Sequence, residues 1–279
     1  MQGNKKFLRR VASYAHKHAL WREGERILAA VSGGPDSLAL LLALKLLAVK
    51  EKINIGCCCV NHHLRAAAGK EAEFVESVCR EWNIPFILKE VDVQSAVRNG
   101  GSVETAARDL RYKALREAAR GGRYAKIAVA HHGDDQAETV LYHLLRGSGV
   151  TGLSGMKPIN GDIIRPFLCV SKNEIKDFLK DFSYVPCHDE SNDVEDAVRN
   201  RIRLSLVPEL ISYNPRVTES LRRTADIFRE EDLFMEEKAD VFISSCVEHD
   251  NDKCVFFIAY FLALHIALQR RVIRKICCM

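Results

Sequence analysis

Apolar runs and amphipathic stretches alternate through the first two-thirds of the chain. The runs at 27–31, 53–60, 85–91 and 125–130 read as buried strands, and the segments near 36–49, 69–82 and 102–120 show helical spacing. That rhythm predicts an α/β fold built on a doubly wound, Rossmann-like parallel sheet. Gly100-Gly101-Ser102 supplies a turn and a helix N-cap, with Glu104 placed to complement the positive end of the helix. A weaker strand near 162–165 precedes Pro166, and Ser171 caps a helix running to about Lys180. Residues 187–196, rich in Asp, Ser and Asn, read as a loop, after which 197–212 and 216–246 return to helix. The boundary is expected near Asn214-Pro215, separating a large domain, 1–213, from a smaller helical one, 214–279.

With 279 residues and 47% hydrophobic content, the chain can bury the core of a soluble globular protein. A net charge of +4 is too small to argue for a nucleic-acid partner, which would need clustered Lys and Arg. Ten cysteines follow no framework spacing, and Cys57-Cys58-Cys59 lie inside a strand-like run, so thiols of a reducing cytoplasm are expected. The absence of any C-x-x-C pair disfavours a zinc knuckle or an iron–sulfur site. No signal peptide is evident at the N-terminus. Cys254 to Leu268 is too short to span a membrane and carries His265, so a buried amphipathic element is expected there and no membrane partner.

Candidate chemistry begins at Ser32-Gly33-Gly34-Pro35-Asp36-Ser37, between the first strand and the first long helix. Two glycines allow close backbone approach to an anion, Ser32 and Ser37 offer hydroxyls, and the new helix points unpaired N–H groups at the same spot. This loop itself matches neither G-x-x-x-x-G-K-[ST] nor G-x-G-x-x-G. Asp36 would repel phosphates unless a divalent cation lay between them, which points to magnesium-bound pyrophosphate. The loop resembles, residue for residue, the SGGxDS signature of the PP-loop ATP pyrophosphatases.

Two other strands end in Asn61-His62-His63 and in His131-His132-Gly133-Asp134-Asp135. Asp134, Asp135 and Glu138 share a helical face, forming an acidic pocket suited to Mg²⁺ or to a cationic small molecule, although acids in a first turn also simply complement the helix dipole. The histidines lack a metal-site pattern, so hydrogen bonding to phosphate or ribose is the better expectation for His62, His131 and His132. Arg108 and Arg111, three apart on one helix, could grip phosphate oxygens.

Taken with Ala107-Arg108-Asp109-Leu110-Arg111-Tyr112, Arg146-Gly147-Ser148-Gly149, Gly152-Leu153-Ser154-Gly155-Met156, Arg165-Pro166-Phe167-Leu168, Asp189-Glu190-Ser191-Asn192 with Arg199-Asn200-Arg201-Ile202-Arg203, and Gln269-Arg270-Arg271, these motifs resemble the bacterial tRNA(Ile)-lysidine synthases over nearly the whole chain. The resemblance implies a cytoplasmic ligase that uses ATP to adenylate the wobble cytidine of an isoleucine tRNA with a CAU anticodon. The amine of free L-lysine would then displace AMP. It assigns Ser32, Gly33, Gly34, Pro35, Asp36, Ser37 and His62 to ATP, Asp36 and Asp134 to Mg²⁺, and Arg108 and Arg111 to charge near the α-phosphate. Asp135 and Glu138 would hold lysine, with His131 or His132 as proton acceptor, and Arg199, Asn200, Arg203, Arg270 and Arg271 would hold tRNA. Arg216, Arg222 and Arg223 add basic charge nearby. Related enzymes often form homodimers, and they commonly continue past the Gln-Arg-Arg helix, so truncation at the C-terminal end is expected. The alternatives are a PP-loop tRNA thiolase, which ordinarily needs paired cysteines, and a non-enzymatic nucleotide-binding protein.

Overall fold

A computed structural model describes residues 2–62, 68–93, 103–182, 197–250 and 253–277. Helix α1 (Gln2–Lys17) lays Phe7, Val11 and Ala15, four apart, into the core. Then β1 (Arg26–Ala30), α2 (Pro35–Glu51), β2 (Asn54–Asn61), α3 (Ala68–Glu81), β3 (Phe86–Glu90), α4 (Val103–Gly121) and β4 (Lys126–Ala128) alternate as the hydrophobic pattern predicts. After α5 (Gly133–Leu145) and the short α6 (Val150–Leu153), β5 (Ile159–Asn160) and β6 (Ile163–Ile164) complete a sheet ordered β3-β2-β1-β4-β6-β5. The ladders are parallel except at the edge, where β5 runs antiparallel to β6. The sheet is therefore mixed rather than wholly parallel, because the one-turn link between β5 and β6 is too short for a crossover.

Strand alternation explains the two cores. Ile27, Ala29 and Cys57 face a large cluster with α1, α2 and α3, while Leu28 and Cys58 face a second one with Leu115 and Ala118 of α4. Helix α2, apolar on nearly every side, is correspondingly buried from Ser37 to Leu44. From β1 the chain winds outward through β2 to β3, and α4 then carries it back across to β4 on the other flank of β1. Ala29 pairs with Ala128 across that switch, so the loops leaving β1 and β4 lie side by side at the carboxyl edge.

A 3₁₀ turn (Pro166–Cys169) leads to α7 (Lys172–Lys180), which opens with the expected Ser171 cap, completed as a capping box by Glu174. Beyond the undescribed stretch come α8 (Ala197–Arg201), a π turn (Ile202–Leu206), α9 (Val207–Tyr213) and the long α10 (Val217–Cys246). Helix α10 packs on α5 and α6. Its last turns form a separate small cluster, Ala239, Phe242 and Ile243 with Val272. That cluster gathers the hairpin β7 (Val247–Asp250) and β8 (Lys253–Phe256), then α11 (Ile258–Leu262) and α12 (Ile266–Ile276). The buried amphipathic element expected at 254–268 is met only in part: Phe256, Phe261 and Leu264 pack on this cluster, while Phe257 is 73% exposed and Leu262 63%. This stretch divides into strand, short helix and turn, so its apolar residues do not form one continuous buried face. Among the described residues no helix is long and apolar enough to cross a membrane. The motifs at Gly100-Gly101-Ser102 and Asp189-Glu190-Ser191-Asn192, and His63 to Arg65, lie outside the described residues.

Candidate active site

The loop after β1 makes a tight, glycine-dependent entry into α2. Gly33 takes φ +91°, which only glycine adopts without strain, and the Ser37 hydroxyl ties the loop together by accepting from the Ser32 N–H at 3.2 Å and donating to the Gly34 carbonyl at 3.0 Å. Pro35 occupies the first turn, and no side chain caps the helix. Its leading N–H groups are consequently available to an anion. Asp36 stands in the same turn with Oδ1 buried and unpartnered.

Facing it, His132 is the N-cap of α5. Its ring accepts from the Asp135 N–H, while the Asp135 carboxylate accepts from the His132 N–H at 2.9 Å. The imidazole is buried among three carboxylates: Nε2 lies 3.7 Å from Asp36, and Nδ1 lies 3.6 Å from Asp134 and 3.5 Å from Asp135. Burial alone would lower its pKa, but Asp135, Asp36 and Asp134 outweigh it and hold the pKa above the ordinary value. Burial likewise raises the Asp36 carboxyl, and His132, Lys172 and Arg203 outweigh that, for a net lowering. Asp134 spends Oδ2 on the Lys172 N–H at 2.7 Å, tying α7 to α5.

The acids predicted to form a pocket are already engaged. Arg203, arriving from the π turn, donates from Nε and Nη2 to Glu138 and from Nη2 to Asp135 at 3.3 Å. Burial pushes the Glu138 carboxyl up, and Arg203 offsets this only in part. Arg203 thus lies inside the site, with its guanidinium on carboxylates rather than presented to solvent phosphates.

The other wall is cationic. Arg108 and Arg111 flank the Tyr112 ring at 5.3 and 5.4 Å. His131, just past β4, is held far below its ordinary pKa by burial and then by Arg165, Arg111 and Arg108. His62, at the end of β2, is lowered by burial and by Arg111. Each of these histidines leaves Nδ1 buried without a partner, as do the Tyr112 hydroxyl and Arg165 Nε. Buried polar groups are normally satisfied, so four such atoms, one on α4 and the others just past β2, β4 and β6, mark a surface shaped for a polar ligand. Nothing in the sequence spacing of Tyr112 and Arg165 signals an open hydrogen-bond valence.

The basic residues expected at RNA separate into two groups. Arg270 is exposed, and Arg199 and Asn200 lie half-buried on α8. Arg271 is instead buried against Asp232 at 2.6 Å and also meets Glu236, so it ties α12 to α10. Arg222 donates to the Cys169 carbonyl at 3.2 Å. Gln136 and Arg229, buried and unremarked in the sequence, both grip the Ser154 and Met156 carbonyls. Gly155, at φ +63°, has no room for a Cβ beside the Gln136 amide. The Gly152-to-Met156 motif is therefore a brace linking α5 to α10.

Among the described residues no cluster of three or more His, Cys, Asp or Glu forms a ready-made metal site. Mg²⁺ needs fewer protein ligands, since it retains waters and shares phosphate oxygens. The unpartnered Asp36 Oδ1, ionised and beside the phosphate-competent loop, fits that role.

A family model described as the PP-loop domain matches residues 4–210. A tRNA(Ile)-lysidine synthase of Caldanaerobacter subterraneus subsp. tengcongensis is 36% identical over 96% of this chain and 58% of its own length. That of Petrotoga mobilis is 38% identical over 81% of this chain and 74% of its own. The chain thus spans about 58% of the length of the first relatives it matches. In fold it is similar to a U34-tRNA thiolase of Methanococcus maripaludis, solved with its [4Fe-4S] cluster, at TM-score 0.62 and 16% identity over 81% of this chain and 80% of that one.

Proposed function

Because this chain belongs to the tRNA(Ile)-lysidine synthase family of PP-loop proteins, we propose that it joins lysine to the wobble cytidine of an isoleucine tRNA with a CAU anticodon, converting ATP to AMP and pyrophosphate. In the first step the 2-carbonyl oxygen of the base attacks the α-phosphorus of ATP. In the second the lysine side-chain amine displaces AMP, leaving lysidine. The reading is carried by one observation: the His132 ring touches both Asp36 of the phosphate loop and Asp135 of the acid pair, so the two halves of the site share a wall.

Gly33, Gly34, Ser32 and Ser37, with the first N–H groups of α2, hold the pyrophosphate portion of ATP. His62 reaches the nucleotide from the end of β2. Arg108 and Arg111 offset charge that accumulates around the α-phosphate as pyrophosphate leaves. Asp36 and Asp134 would hold Mg²⁺, which supplies charge neutralisation for the leaving group. Asp135 and Glu138 receive the positive charge of lysine in place of Arg203.

Of the two candidate proton acceptors, His131 suits the second step. His132 is committed as the N-cap of α5, its Nδ1 accepting the Asp135 N–H, and carboxylates line the rest of its ring. His131 is neutral with an open Nδ1, and its basicity is suppressed by burial and by arginines. Phosphates bound to those arginines raise that basicity when the adenylate forms. Arg199, Asn200 and Arg270 position the RNA through its phosphates.

A thiolase reading meets an obstacle in the cysteines. Burial pushes Cys58 and Cys59 up to about 12, and Cys57 is raised beside Cys79, so the strand cysteines are inert thiols. Incubation with ATP, labelled lysine and unmodified isoleucine tRNA tests the proposal. Label should enter the RNA, whereas sulfur incorporation from a donor, or ATP retained without product, contradicts it.

A further inference from the structure

Tyr142 stands one turn beyond Glu138 on α5, and residues 135, 138 and 142 share a face at i, i+3 and i+7. Four residues of helix separate Tyr142 from Glu138 by about 6 Å along the axis. Two guanidinium groups lie over its half-buried ring: Arg146 at 5.2 Å from the centroid and Arg199 at 5.7 Å. Arg146 also donates to the Tyr142 hydroxyl, and His143 meets the ring edge-on at 5.7 Å. One arginine follows the C-terminal end of α5 and the other belongs to α8, so two segments distant in sequence converge on one aromatic face.

Other arginines nearby are neutralised: Arg203 by Glu138 and Asp135, Arg229 by Asp226, Arg271 by Asp232. Arg146 and Arg199 differ, since among the described residues neither forms an ion pair with a carboxylate. An aromatic face held under two unneutralised guanidinium forks suits single-stranded RNA, whose phosphates take the forks and whose bases take the planar surfaces. A free anion would use the charges and leave the ring without purpose.

We propose that Tyr142, Arg146 and Arg199 form the seat for the nucleotide adjacent to the modified cytidine, its base stacked on the ring and its phosphate held by the two guanidiniums. The seat rests on the RNA-ligase reading above and adds to it a recognition element for the residue that flanks the target. Placed one turn from the acid pair, it fixes the neighbour of the target while the target itself enters the crevice.

An anticodon stem-loop RNA with 2-aminopurine in place of the anticodon adenine is the probe. On titration with the wild-type protein its fluorescence should be quenched by stacking. Tyr142→Ala should weaken binding about tenfold and abolish the quench, and Tyr142→Phe should restore both. Arg146→Gln, on an exposed side chain, should weaken binding and flatten its salt dependence, and it serves if Tyr142→Ala does not fold, as judged by thermal unfolding. A Tyr142→Ala protein that binds and quenches like the wild type overturns the seat alone. A wild-type protein that does not bind the stem-loop overturns both the seat and the RNA reading beneath it.

Discussion

Arg203 and Glu138 meet through two parallel hydrogen bonds, Nε and Nη2 each 2.9 Å from a different carboxylate oxygen. This fork-to-fork geometry is among the stronger charge-assisted contacts, and here it closes a site that a cationic substrate would have to open. Glu138 is buried, so its removal leaves a guanidinium poorly solvated. Glu138→Ala should therefore destabilise the fold by roughly 3 kcal/mol, as read from urea unfolding midpoints. No loss of stability would mean that Arg203 finds water or another partner.

His132 and His131 should give opposite pH signatures. The folded pKa of His132 is raised above 6.5, so its contribution to stability is complete below about pH 6.5 and is lost as pH rises through the folded value. The folded pKa of His131 is lowered, so its contribution is complete above about pH 6.5 and is lost as pH falls. Unfolding midpoints measured across pH for His132→Gln and His131→Gln should each lose one limb of the wild-type profile. Identical profiles for the two variants would contradict the assignment.

The alternation of strands and helices was legible because each buried run is contiguous, and the phosphate loop was legible because its glycines and hydroxyls sit within six residues. Antiparallel β5 has only two residues, too few to show any period. The pairing of Arg203 with Glu138 spans 65 positions and that of Arg229 with Ser154 spans 75. An arginine seen alone in sequence reads equally well as a phosphate contact or as half of an ion pair. Arg271 shows this: its neighbour Arg270 is exposed, while its own guanidinium is buried against Asp232.

Asp232 joins three segments, accepting from Thr151 at 2.7 Å as well as from Arg271. Glu236, despite the opposing effect of burial, is held at about 2 by Arg271 and Lys275. Asp232→Ala should cost about 3–5 kcal/mol and speed hydrogen exchange in α12 before it does so in β1. Uniform acceleration across both elements would show that the C-terminal helix has no separate dependence on this contact.

Thiol chemistry should follow burial. Cys277 is exposed, whereas Cys57, Cys58, Cys59 and Cys79 are buried. A thiol reagent at neutral pH should label Cys277 rapidly and the strand cysteines only after denaturant is added, as mapped by mass spectrometry. Rapid native labelling at Cys58 or Cys59 would reopen the sulfur-transfer alternative.

The central claim is that the phosphate loop and the acid pair are two halves of one site, the first serving ATP and the second lysine. It is tested most directly by comparing Asp36→Ala with Glu138→Ala in two assays, tRNA-dependent ATP–pyrophosphate exchange and incorporation of labelled lysine into isoleucine tRNA. Asp36→Ala should abolish both reactions. Glu138→Ala should retain most of the exchange while losing lysine incorporation, and an equal fall in both would contradict the account.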